Sequence, residues 1–576
     1  MRMLILVDEE PPWAMRKIEN IYEDPGSIEA LQLIRSKLRL CRESHTACKS
    51  RGIASGLPTR ILDVGFLKES GEMSVALVER KGLKAPYLAL SHRWGDSGDA
   101  VMPTTDSTNI ATRKKEIEFS TLPRTFQDAI ILARSLRIQY LWIDSLCILQ
   151  GDTQDWEKES LQMASIYRNA RLVISAASAP NCNAGLFVRR SPQAKYRVHE
   201  SKSLISTIYL RPTLLHGDFS RSEKSASPVT QNPLFTRAWA FQERLFARRA
   251  IHFCSGELVW ECNSTVCCEC GDLDGMSPLE SLKLDQNEVL VSKASHIGGH
   301  RAPHLVRRLK FWEEMIRQFT RRRLTYDRDR LPALSSLAEI TSSPELGIYF
   351  AGMWCYSIVE KDGLCWRRIS SRSESSITNG VRSSQYCAPT WSWASISGEI
   401  ELDGIASIWP ATGNKRYEDM LFERAEVLSI QCTLVNEDSP FSSVVAGHIE
   451  ISGLWTYVTP DEWSNKEWKF GAPVQGLKKT FYPDFDLELE SASDSKRFTY
   501  LWLKSFTSMG NPGRYTEVIV DVALVLERSK AWPGRYERVG LLIVYTFAST
   551  QGFTEHVWTC RKEFLSKTLK GVFIII

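Results

Sequence analysis

The sequence predicts an α/β core, a parallel sheet flanked by helices, joined to a C-terminal region that is part helical and part β-rich. Three observations predict it. The runs Tyr87–Ser91, Tyr140–Leu149 and Arg171–Ala177 have the length and apolar character of buried strands. Two helical patterns separate them, and strand–helix–strand–helix–strand with apolar strands implies a parallel sheet covered on both faces. Beyond residue 400 the pattern changes to short strand-like runs between polar turns.

Taken in order, residues 1–84 read as a helical lead-in followed by an extended segment, Thr59–Val64. After the first strand, Thr121-Leu-Pro-Arg opens a helix, with Thr121 as N-cap and Pro123 in the first turn. Phe126, Ile130, Ala133 and Leu136 then share one helical face. Tyr140–Leu149 is the second strand. Asp152 and Thr153 cap the next helix, which runs to about Asn169, and Arg171–Ala177 is the third strand. Breaks rich in Ser with Lys or Arg fall at 217–233 and 367–385. Between them, Leu305, Leu309, Trp312, Ile316 and Phe319 are spaced as the apolar stripe of an amphipathic helix whose other face is basic and solvated. Strand-like runs follow at His448–Gly453, Phe498–Leu503, Glu517–Leu526 and Val539–Phe547, and Val572–Ile576 reads as a final strand or packed tail. Four regions result: a lead-in over 1–84, the α/β domain over 85–262, a mainly helical extension over 263–399, and a β-rich region over 400–576.

Composition narrows the function classes. The 576 residues are 43% hydrophobic and 24% charged with 18 Trp, enough apolar surface for large cores. A balance of 72 basic against 68 acidic residues leaves +4, too little to argue for nucleic acid or an anionic membrane. The start shows no secretory leader, and no window approaches the ~20 apolar residues of a membrane span. The 14 cysteines are therefore expected as reduced thiols in the cytosol or nucleus, and a cytoplasmic location is expected. Neither a repeat period nor a phosphate loop of the G-x-x-x-x-G-K-[ST] type is present.

In parallel sheets ligands sit beyond the carboxyl ends of the strands. That rule sets Ser91–Asp96 beside Asp144–Gln150. There Trp94 can stack on a nucleotide ring while Arg93 reaches phosphate. The alternative has Trp94 filling the core and Arg93 paired with Asp96 or Asp99. Asp144, within a strand run, needs a partner for its charge, which suits a hydrogen-bonded structural role. Cys147 with His92 has the residue types of a nucleophile–base pair, but a thiol inside an apolar strand is usually inert. Two groups have metal-ligand types: Cys41, His45 and Cys48, and a second run of His252, Cys254, Cys262, Cys267, Cys268 and Cys270. Cys267 and Cys270 there form a Cys-x-x-Cys pair with no second such pair, although His252 and Cys254 could supply the missing ligands; buried thiols are the default and no metal is expected.

Seven stretches then occur in a recurring order. They are Tyr87-Leu-Ala-Leu-Ser-His-Arg-Trp-Gly95, Leu122-Pro-Arg-Thr-Phe-Gln-Asp-Ala129 and Tyr140-Leu-Trp-Ile-Asp-Ser-Leu-Cys-Ile-Leu-Gln150. Next come Asp155-Trp-Glu-Lys-Glu159 with Met163, Tyr167 and Ala170, and Gly185-Leu-Phe-Val-Arg189. Arg237-Ala-Trp-Ala-Phe-Gln-Glu243 and Ala388-Pro-Thr-Trp-Ser-Trp-Ala394 close the series. In order and spacing they resemble the fungal heterokaryon-incompatibility (HET) domain family over about 85–262, and more loosely over about 326–398. His92 departs from the Tyr more usual there.

The resemblance implies a cytosolic effector that triggers growth arrest or cell death after non-self recognition, working through self-association and protein partners. HET domains in turn resemble the flavodoxin-like TIR fold, several members of which cleave NAD with one glutamate. That implies NAD as a substrate rather than a bound cofactor, with Ser91, Arg93, Trp94, Asp96 and Asp144 as nucleotide-binding residues. Trp156-Glu-Lys-Glu159 is similar to the Trp-Cys-x-x-Glu pattern of NAD-cleaving TIR domains and implies Glu159 as the catalytic residue. Here Glu157 replaces the Cys, and Ser160 holds the position of that pattern's glutamate. Helical spacing puts Glu159 about 60° from Trp156, at the border of an apolar stripe. A single carboxylate placed there can stabilise an oxocarbenium-like cation. The alternative is a helix-surface glutamate near the N-terminus, where the dipole favours negative charge, or one bonded to Arg168 or a neighbouring loop. A non-catalytic signalling or scaffold module is the alternative, with Trp239, Phe241, Trp391 and Trp393 joining the C-terminal half to the core, and a nucleotide-binding module without turnover is a third.

Overall fold

The computed structural model describes residues 3–5, 21–49, 56–65, 75–95, 102–191, 194–199, 205–210, 214, 216–219, 232–275, 302–360, 363–369, 382–383, 385–402, 421–458, 462–464, 467–469, 477–484, 498–509, 517–547 and 568–576. It forms two compact units, Met1–His296 and Ile297–Ile576.

The first unit is built on one mixed sheet of eight strands. These are β1 (Ile61–Asp63), β2 (Ala76–Val78), β3 (Tyr87–Ser91), β4 (Tyr140–Ile143), β5 (Leu172–Ser175), β6 (Arg249–Phe253), β7 (Leu258–Cys262) and β8 (Val266–Cys268), in the order β8-β7-β6-β5-β3-β4-β1-β2. The four central strands, β6, β5, β3 and β4, are parallel. Every residue of β3, β4 and β5 is buried, as expected of strands covered on both faces. The outer pairs are antiparallel. A fully parallel sheet is thus corrected to a mixed one. Short turns join β6 to β7 and β7 to β8, and only antiparallel strands can be linked that way.

The helices around it include α1 (Ile28–Ser44), α2 (Arg124–Ser135), α3 (Asp144–Cys147), α4 (Thr153–Asn169) and α5 (Ala238–Phe246). α4 has the predicted cap: the Asp152 side chain accepts from the Asp155 N–H at 3.0 Å. α2 does not start at Thr121. That residue ends a 3-10 turn and its hydroxyl donates to the Glu118 carbonyl at 2.7 Å, while Pro123 occupies the cap position. The second strand is also shorter than the apolar run suggested. It ends at Ile143, and Asp144–Cys147 turn into α3, where an Asp144 oxygen accepts from the Ser145 N–H at 2.8 Å.

α2 clamps the loop after β5. The Asp128 carboxylate accepts from the backbone of Leu186 at 2.7 Å and Phe187 at 3.1 Å, and Thr125 accepts from Gly185 at 3.0 Å. Gly185 has φ +85°, and a Cβ there would come within 2.9 Å of an Asp128 oxygen. Thr125, Asp128 and Gly185 thus join two of the recurring stretches in one structural role. A separate three-stranded antiparallel sheet pairs Met3–Ile5 and Ala194–His199 with Ile205–Leu210.

The second unit begins with α6 (Ala302–Thr320), which buries Leu309, Trp312, Ile316 and Phe319 as their spacing predicts, and α7 (Pro332–Thr341). Trp391 and Trp393 are enclosed within this unit; the Trp393 indole donates to the Gly352 carbonyl at 3.0 Å. Its sheet comprises β9 (Leu421–Arg424), β10 (Glu426–Leu434), β11 (Val444–Val458), β12 (Leu477–Pro483), β13 (Phe498–Met509), β14 (Glu517–Arg528), β15 (Tyr536–Phe547) and β16 (Leu569–Ile575). β13, β14, β15, β16 and β11 follow one another, and pairing of β11 with β13 closes them into a ring. Phe498, Tyr500, Trp502, Val525 and Leu542 pack in its core. Among the described residues no helix is long and apolar enough to cross a membrane.

Candidate functional site

The parallel register fixes what meets at the carboxyl ends of the central strands. Leu90 pairs with Ile143 and Ser91 with Ser175, so Ser91 and Asp144, the residues that follow in β3 and after β4, emerge side by side. From there β3 leads into His92–Gly95 and β4 turns into α3.

Trp94 closes the first contact. Its indole N–H donates to an Asp144 oxygen at 2.9 Å, and Ser145 holds the other oxygen, so the carboxylate is fixed in orientation. The Asp144 side chain remains partly open to solvent, and Arg93 and Trp94 are half-buried beside it. His92 is enclosed 3.7 Å from the same carboxylate, too far for a hydrogen bond, and stands edge-on to Phe126 at 5.0 Å. Burial pushes its pKa down to about 4, with Asp144 opposing, so it is a neutral imidazole at physiological pH.

Helix α5 supplies the rest. Arg237, just before it, donates to the His92 carbonyl at 2.9 Å and so ties the loop after β3 to this helix. Two turns on, the Glu243 carboxylate accepts the Ser91 hydroxyl. Tyr167 of α4, whose hydroxyl donates to the Leu90 carbonyl at 3.2 Å, lies against the same carboxyl. Glu243 is 7% exposed. Burial pushes its pKa up to about 7, with the nearby Asp144 charge adding to the rise and the Ser91 hydrogen bond opposing it. Such a group can hold or release a proton near neutrality.

The residues expected at the site therefore divide. Ser91, Trp94 and Asp144 come together, with Arg93 at the rim, and Asp96 lies outside the described residues. Asp144 is hydrogen-bonded, and it stands at the start of a helix rather than within a strand. Glu159 is elsewhere. It is fully buried on α4, not at a stripe border, because the Thr59–Arg60 segment leading into β1 lies over it. Burial raises its pKa, opposed by the Thr59 hydroxyl and the Arg60 charge beside it. Arg60 binds the Asp155 carboxylate instead, one turn earlier, and donates to the Cys147 carbonyl at 2.7 Å.

Cys147 and His92 do not form a nucleophile–base pair. The thiol is enclosed on α3 and burial pushes its pKa up to about 12, while His92 faces Asp144. Sequence reasoning missed Glu243 and Tyr167 as members of the site. Both stand in the recurring stretches, but nothing in local spacing says that α5 folds back over the end of β3.

The cysteines regroup as well. Cys262 leaves the second run and joins Cys41, His45 and Cys48; Cys268 and Cys270 meet His216 and Glu257. His252 bonds Glu261 at 3.1 Å, and Cys254 and Cys267 belong to neither group.

Residues 87–243 match the family model described as heterokaryon incompatibility protein (HET), a span that starts at the first residue of β3 and ends at Glu243. No curated protein and no solved structure matches the chain.

Proposed function

Starting from a chain that carries a HET domain over residues 87–243, we propose that it acts in heterokaryon incompatibility, arresting growth or killing the cell after non-self recognition. In this mechanism the HET domain cleaves the nicotinamide–ribose bond of NAD at the carboxyl ends of β3 and β4. One observation carries this. Trp94 and Ser145 orient a partly exposed carboxylate, Asp144, beside a buried carboxyl, Glu243, whose pKa is raised to about 7. Glycosidic cleavage develops positive charge on the ribose, and an oriented carboxylate stabilises it without reorganising. Trp94 offers a ring face to the base, Arg93 a cation to phosphate, and Glu243 a proton store behind Ser91. Glu159 fits less well because its carboxyl is enclosed.

A second reading, a non-catalytic signalling module, is favoured by enclosure. Ser91, His92 and Glu243 are all buried, and the Ser91–Glu243 pair satisfies itself. NAD loss over time with full-length protein at high concentration separates the two, run beside Asp144→Asn and Glu159→Gln. Loss abolished by Asp144→Asn alone supports the strand-end site. Loss abolished by Glu159→Gln alone moves the chemistry to α4, and no loss from the unaltered protein favours the signalling module.

A further inference from the structure

The end of α1 and the end of β7 bring four side chains with ligand atoms to one point, although Cys262 and His45 are 217 residues apart. Cys41 lies on the last turn of α1, His45 follows it, Cys48 ends the 3-10 turn Thr46–Cys48, and Cys262 is the last residue of β7. We propose that Cys41, His45, Cys48 and Cys262 form a structural zinc site.

The geometry fits the ion. All four ligand atoms lie within 4.8 Å of one another, and Cys262 Sγ is 3.4 Å from His45 Nδ1. Tetrahedral zinc with Zn–S near 2.3 Å and Zn–N near 2.0 Å sets its ligands about 3.5–3.8 Å apart, so only small adjustments are needed. Three cysteines and one histidine are a closed structural set with no position left for substrate.

The charge fits as well. Three thiolates around Zn²⁺ leave one negative charge, which burial would penalise without a partner. Arg249, itself buried, supplies one: its Nε donates to Cys41 Sγ at 3.1 Å and its Nη2 to the Cys48 carbonyl at 2.7 Å. Small buried thiols packing as hydrophobes would not gather a histidine and an arginine around them. The second group carries no such inference, because His216 is already paired with Glu257 at 2.6 Å.

The ion would clamp the segment before the HET match onto the hairpin after it. Cysteine ligands at both ends of that clamp make the folded domain larger than residues 87–243.

The test counts metal in full-length protein expressed with zinc and purified without chelator, beside Cys262→Ser and Cys267→Ser. Cys267 is a thiol of the same hairpin outside the group. The unaltered protein and Cys267→Ser should each carry one more zinc per chain than Cys262→Ser; equal zinc in all three overturns the proposal. Should Cys262→Ser prove insoluble, His45→Cys preserves four ligands. Loaded with cobalt, it should keep a tetrahedral visible spectrum with an added thiolate-to-cobalt band, and a spectrum identical to the unaltered protein's overturns it. Two fewer titratable thiols in denaturant without reductant, assigned to Cys41, Cys48 or Cys262, would reveal a disulfide and overturn it equally.

Discussion

The Ser91 hydroxyl donates to the Glu243 carboxylate across 152 residues, joining the last residue of β3 to the last residue of the HET match. That bond folds α5 back over the strand ends, and Arg237 secures the same return by binding the His92 carbonyl. The span that defines the domain is thus closed by contacts between its two ends. Those contacts meet where a parallel sheet offers its ligand site.

Glu243 should give stability a distinctive dependence on pH. Its folded pKa of about 7 lies above the ordinary carboxylate value, so the folded state binds the extra proton. Stability from this group is therefore present below the unfolded pKa and falls as pH rises through about 7. Glu243→Gln should flatten that fall, by on the order of 3 kcal/mol at most between pH 4.5 and 7. His92, depressed to about 4, acts in the opposite sense, losing stability as pH drops from its unfolded value toward 4. Urea unfolding of both proteins across that range isolates the Glu243 contribution as their difference. An unchanged slope would mean that the carboxyl is not held protonated.

Gly185→Ala tests the clamp between α2 and the loop after β5. The substitution meets two obstacles, φ +85° and an Asp128 oxygen 2.9 Å from the new Cβ. About 1–3 kcal/mol of destabilisation is expected, read as a lower urea midpoint with unchanged slope. Asp128→Asn should be milder, since an amide oxygen can still accept from Leu186 and Phe187.

How much of this was legible follows from the range of each signal. Local patterns carried β3, α4 and α6, because burial of one face and an Asp cap act within a few residues. The end of β4 was not legible: Leu146 to Leu149 are as apolar as the strand before them, and apolar runs do not distinguish strand from buried helix. The cysteine grouping failed for a related reason. Neighbouring strand residues point to opposite faces, so Cys267 and Cys268 separate although adjacent. Cys262, meanwhile, reaches α1 through tertiary packing. Glu243 joined the site by the same kind of long return, and Glu159 was covered by a segment nearly a hundred residues upstream.

Trp94→Phe should distinguish orientation from mere presence of the Asp144 carboxylate. The ring face survives, but the N–H that fixes Asp144 at 2.9 Å is lost. If the strand-end site turns over NAD, Asp144→Asn should lower kcat by about 10²–10³, the usual cost of removing one preorganised electrostatic partner. Trp94→Phe should fall between that and the unaltered protein. Equal activity in Trp94→Phe and the unaltered protein would show that the indole hydrogen bond contributes nothing to turnover.

The second unit offers a separate test of stability. Arg538 and Asp484 form a fully buried ion pair at 3.0 Å. The guanidinium also donates to the carbonyls of Leu364 at 2.7 Å and Trp366 at 2.6 Å, and sits 3.5 Å over the Trp366 ring. Such a pair need not add net stability, yet removing one member strands the other's charge in the interior. Asp484→Ala should therefore cost ~3–5 kcal/mol, more than the loss of one exposed pair such as Lys114–Glu79. Limited proteolysis of the full chain should then cut first within residues 297–576, leaving the HET domain intact. Simultaneous digestion of both units would show that the two do not unfold independently.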